Sequence, residues 1–128
     1  MPLPITSIYA ALLTLILIVL VGAVGRARSH GGPSLGPGDS SLLVADRRHM
    51  NFVESVPFAV LLIALVEANG GPKGWVHALG AVLLVARIIH PFGLDAKRMN
   101  TAARGVGAGG TFIVMLAAAV TLLWQALR

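Results

Sequence analysis

The chain has 128 residues, 56% of them hydrophobic and 12% charged, with a mean hydropathy of +0.84, outside the range of an ordinary soluble domain. Apolar blocks of about 20 residues leave room for about four spanning helices and no separate soluble domain, and blocks of that length argue against a transmembrane barrel of alternating segments. No cysteine is present, which excludes disulfides, thiolate metal sites and a cysteine nucleophile, and the net charge of +5 sits beside membrane spans rather than forming a nucleic-acid surface.

In chain order, the first helix is expected over about residues 5–25, with no ionisable group before Arg26 and Arg28. A cleaved signal peptide is the competing reading, disfavoured by the length of the run and the lack of a basic segment before it. Ser29 to Gly38 is rich in Gly, Pro and Ser, a solvated loop. Asp39, Ser40 and Ser41 then offer capping side chains for a second helix over about residues 41–69. Its first turns carry Arg47, Arg48, His49, Asn51 and Glu54, and Pro57 removes the bond to the carbonyl of Val53, so a local kink or a freed acceptor is expected there.

The third helix spans about residues 74–90, opening at Trp75 and ending at His90-Pro91, with Arg87 and His90 in its last turn. A short connection carries Asp95, Lys97 and Arg98, and a fourth helix follows over about residues 101–127, with Arg104 in its first turn and Trp124 near its far end. Gly105, Gly107, Gly109 and Gly110 let a neighbouring helix come close, which favours self-association. The expected fold is therefore an all-α integral membrane four-helix bundle, one domain over 1–128.

Cations cluster at the first and third connections, against Lys73 in the second and Arg128 at the end, so the positive-inside rule turns both termini away from the cytoplasm. Arg47, Asn51, Glu54, Arg87, His90 and Arg104 then share one layer near the cytoplasmic face. Arg47, Asn51 and Glu54, at i, i+4 and i+7, stack along one helix face over roughly 10 Å. A carboxylate in an apolar helix is costly unless paired or ligand-bound. Glu54 reads equally as a structural ion pair with Arg87 or Arg47, or as the anchor for a ligand amine whose carboxylates meet arginines. A small zwitterionic, peptide-like ligand suits that layer. His49 and His77 show no metal-ligand spacing, and no metal site is expected. Arg26, Arg28, Arg48, Lys97 and Arg98 read as topology determinants and headgroup contacts, and Trp75 and Trp124 as interfacial anchors.

The run Arg47-x-x-x-Asn51-x-x-Glu54-x-x-Pro57, with Arg87-x-x-His90 closing the third helix, resembles the signature of the MAPEG family, membrane-associated proteins in eicosanoid and glutathione metabolism, in its small bacterial branch. The resemblance covers essentially the whole chain. It implies a homotrimer, in a bacterial inner membrane, that binds glutathione as co-substrate between subunits and meets lipophilic substrates from the bilayer. By position it assigns glutathione binding to Arg47, Asn51, Glu54, Arg87 and His90, and thiolate stabilisation to Arg104, with Arg98 as a substitute. Family enzymes often carry a tyrosine where this chain has Leu94. The activity implied is that of a glutathione transferase or peroxidase acting on electrophiles or lipid hydroperoxides; a guanidinium beside the thiol favours the reactive anion. Two other readings are a noncatalytic membrane protein binding a lipid or glutathione, and a small multidrug transporter, the latter expected to carry a carboxylate in its first span.

Overall fold

Helices α1 (Pro4–Ser29), α2 (Ser40–Ala68), α3 (Lys73–Ile89) and α4 (Ala102–Ala126) follow one another, with a 3-10 turn at His90–Gly93 between the last two. The computed structural model describes residues 1–34, 36, 38–94 and 101–128. Asp95, Lys97 and Arg98, and with them the alternative role of Arg98, lie outside the described residues. All four helices are long and apolar enough to cross a membrane, and no strand occurs among the described residues. The fold is an all-α four-helix bundle.

Local chemistry sets the helix ends. α1 continues through Arg26 and Arg28 to Ser29, because cations in a last turn complement the C-terminal partial charge. Asp39 caps α2: its carboxylate accepts the Leu42 N–H at 2.9 Å and the Ser41 hydroxyl at 2.8 Å. Those two bonds hold its pKa below the ordinary value of 3.8. α2 runs unbroken through Pro57. α3 stops at Ile89 because Pro91 cannot continue it, and the chain tightens into the 3-10 turn instead of ending outright.

Hydrophobicity surrounds every helix, so it cannot by itself say which face is inside; burial separates the faces. Phe52, Val56, Ala59, Ile63 and Val66 form one stripe of α2 at alternating steps of three and four. Leu13 and Leu20 of α1, Val76, Leu79 and Leu83 of α3, and Val114 and Ala118 of α4 meet it. Leu15, Ile18, Phe58, Val85, Phe112 and Leu116 point outward, as side chains bathed by lipid do. Van der Waals packing and polar ties, rather than water exclusion, hold such helices together.

Two of those ties sit at the end opposite the polar layer. α1 has no capping side chain of its own. Glu67, at the end of α2, fills that role by accepting the N–H groups of Ile5 at 3.0 Å and Thr6 at 2.8 Å and the Thr6 hydroxyl at 2.6 Å. Tyr9 packs its ring onto Gly80 of α3, where a Cβ would collide with it, and its hydroxyl lies 3.2 Å from Nδ1 of His77.

Candidate functional site

Arg87 organises the polar layer. It projects from the last turn of α3 with 2% of its surface exposed, and the C-terminal end of that helix favours a cation there. One terminal nitrogen donates to Oδ1 of Asn51 at 2.9 Å and reaches Oγ of Ser55 at 3.5 Å; the other donates to the carbonyl of Gly107 at 2.8 Å. Nε has no partner among the described residues. Every acceptor is neutral, so α2, α3 and α4 are joined through a guanidinium that no carboxylate among the described residues faces. Gly107 permits the join, because a Cβ there would run into His90 and the Ala86 carbonyl. Its oxygen also accepts the Thr111 hydroxyl at 3.0 Å.

His90 is buried at 3% exposure beneath α4, within electrostatic reach of both Arg87 and Arg104. Arg104 is exposed in the first turn of α4. That turn is fixed by Thr101, which accepts the Arg104 N–H at 3.2 Å and donates its hydroxyl to the Gly93 carbonyl at 2.6 Å. The Arg104 backbone lies so near Gly93 that no side chain would fit between them. The structure therefore gathers Asn51, Arg87, His90 and Arg104 at one end of the bundle.

Arg47 and Glu54 stand apart from that network. Both are exposed in the chain, and among the described residues the ion pair is Arg28 with Asp46, at 3.9 Å, not Glu54 with Arg87 or Arg47. The ion-pair reading of Glu54 finds no partner among the described residues. Asn51 connects the two sets: its oxygen turns inward to Arg87 while its helix carries Arg47 and Glu54 one turn to either side. A cleft of about 160 Å³ opens there, lined by Asn51, Ser55, Arg87, Ala108, Thr111, Phe112 and Met115. An apolar groove of about 290 Å³ runs between α3 and α4, past Val85, Val106 and Gly110.

Sequence reasoning missed three contributors. Arg48, read as a headgroup contact, donates to the Leu94 carbonyl at 2.9 Å and so ties α2 to the end of the 3-10 turn. Ser55 carried a usable signal, four residues after Asn51 on the same helix face. The Gly107 carbonyl carried none, since any residue has one. Among the glycines of α4, Gly107 and Gly110 pack against α3, while Gly105 and Gly109 have open space where a Cβ would be. No group of three His, Asp or Glu side chains is gathered as a metal site among the described residues.

Four membrane-crossing helices, with cations, an amide and a carboxylate layered at one end, define a multi-pass integral membrane protein with a polar site near one face. The chain belongs to the MAPEG family, whose sequence profile matches residues 5–124, and is thus a membrane protein of the family of glutathione and eicosanoid metabolism. It is similar to inner membrane protein YecN of Escherichia coli strain K12, 32% identical over 121 residues that make up 94% of this chain and 91% of that protein. The protein of the same name from Escherichia coli O6:H1 strain CFT073 matches to the same extent. No solved structure matches the chain.

Proposed function

We propose that the protein is a homotrimeric, glutathione-dependent transferase or peroxidase of the inner membrane, acting on lipophilic electrophiles or lipid hydroperoxides. One observation carries the reading: Glu54 lies exposed on the protomer, in an apolar helix and with no ion-pair partner among the described residues. Such a carboxylate is expensive at membrane depth unless something cationic meets it. The amine of glutathione, held against a neighbouring subunit, answers that need. Arg47 and Asn51 precede Glu54 on its own helix and suit the ligand's carboxylates and carbonyls. Arg87 and His90 form the floor of the site. Arg104 stabilises the thiolate, and one unit of thiol pKa corresponds to about 1.4 kcal/mol of preferential anion binding, within reach of a single charge-assisted contact.

The test uses detergent-solubilised protein. Glu54→Gln removes one charge-assisted bond of about 1.5–3 kcal/mol, so calorimetric affinity for glutathione falls about 10- to 100-fold. The wild type shows the ultraviolet absorption of a bound thiolate near neutral pH, and Arg104→Ala loses it. Unchanged affinity in Glu54→Gln sinks the assignment of the amine. Leu94 supports a second reading, a noncatalytic glutathione binder, because its side chain cannot donate to sulfur as a tyrosine hydroxyl can. Normal glutathione binding without a thiolate signal or turnover distinguishes that case. The transporter reading finds no support, since α1 contains no carboxylate.

A further inference from the structure

Resting on the glutathione reading above, we infer that Arg87 is a positioning residue that fixes the polarity of Asn51, so that the site offers the ligand two amide N–H donors beside the Glu54 acceptor. A guanidinium has no lone pair to offer, so the Asn51 atom it meets at 2.9 Å is the oxygen. The amide nitrogen is thereby turned away from Arg87. It bonds to no described residue and is not among the buried unpartnered atoms, so it is open to a ligand in the cleft that Asn51 lines, one turn from Glu54 along the same helix.

Without Arg87 the amide is free to rotate, and an amide of undefined sense distinguishes poorly between a ligand oxygen and a ligand amine. With it, the reading is ordered. Glu54 accepts from a cationic nitrogen, and Asn51, one turn earlier, donates to a carboxylate or carbonyl oxygen of the same ligand. That alternation matches an α-amino acid end group, in which amine and carboxylate share one carbon. Both terminal nitrogens of Arg87 are taken up by Asn51, Ser55 and Gly107, so it acts through the amide.

The experiment is a double-mutant cycle on the full-length protein in detergent, read both by melting and by glutathione calorimetry. Arg87→Lys keeps the charge but cannot bridge Asn51 and Gly107 together. It raises the Kd for glutathione about tenfold in the wild-type background and less than about twofold when combined with Asn51→Ala. Asn51→Asp keeps an oxygen on Arg87 and replaces the outward donors by an acceptor. It melts at or above the wild-type temperature yet binds glutathione at least about tenfold more weakly, a split that a purely structural role does not produce. An equal loss of affinity from Arg87→Lys in both backgrounds overturns the inference, as does wild-type affinity in Asn51→Asp. Melting of Asn51→Asp as low as that of Asn51→Ala overturns the Arg87–Asn51 bond whatever the wild type binds. A wild type that fails to bind glutathione, with the melting coupling intact, overturns the glutathione reading and leaves the fixed amide standing.

Discussion

Arg87 carries its charge into the bundle without a carboxylate among the described residues to meet it, and its neighbours compensate with oriented dipoles: an amide oxygen, a hydroxyl and a main-chain carbonyl. Hydrogen bonds to a charged group contribute about 1.5–3 kcal/mol each and leave a comparable penalty when one partner is lost. At the opposite extreme of exposure, Asp39 shows a carboxylate whose partners are also neutral but whose setting is aqueous. Its pKa is depressed by the Leu42 and Ser41 bonds, so its ionised form stabilises the fold above the unfolded-state value. That contribution is lost as pH falls through the folded-state value. The substitution Asp39→Asn retains a capping acceptor without the charge. The melting-temperature advantage of wild type over Asp39→Asn is therefore present at neutral pH and closes as pH falls through the lowered folded-state value; an advantage that does not change with pH refutes this role. Arg87 and His90 were legible in sequence as the polar ending of α3. Their burial was not, because a spacing of three names a shared face without saying what covers it.

Among the elements, α1 depends on a carboxylate from another helix for its first hydrogen bonds. Glu67→Ala strips the acceptor from the N–H groups of Ile5 and Thr6, at a cost of about 1 kcal/mol typical of a lost cap. Amide exchange accelerates at the start of α1 and is unaffected at its centre, whereas Glu67→Gln, which keeps one acceptor, gives a smaller change. Equal protection in wild type and Glu67→Ala removes the cap from the account. Helices of this hydropathy were readable as elements because each long apolar block is bounded by Gly, Pro or cations. The cross-helix cap was not, since Thr6 and Glu67 are 61 residues apart and nothing local links them. The 3-10 turn after α3 was half legible: Pro91 stops an α-helix, but the tighter turn that follows is set by Thr101 and Arg48 holding the Gly93 and Leu94 carbonyls.

For the whole molecule, the expected orientation follows from charge placement. The chain lacks cysteine, so single-cysteine variants report accessibility without background. With both termini on the non-cytoplasmic side, a membrane-impermeant maleimide applied to intact cells labels Asn69→Cys and spares Ser34→Cys, and the reverse pattern inverts the proposed topology. Four spans and an all-α bundle could be read from composition alone. The inward faces could not, because lipid and protein interiors are equally apolar and only packing distinguishes them.

The Gly107 carbonyl carries a consequence for how the protein is made. Membrane helices are inserted in order of synthesis, and α4 follows the other three. Until it arrives, Arg87 has acceptors on α2 alone and no carbonyl from Gly107 to close its second nitrogen. The nascent three-helix chain thus holds an incompletely solvated cation in the bilayer, an unfavourable state. Arrival of α4 completes that shell and brings the turn carrying Arg104 into place in the same step. Closure of the Arg87 shell and placement of the Arg104 turn thus occur together, and a chain lacking α4 leaves the buried charge incompletely met.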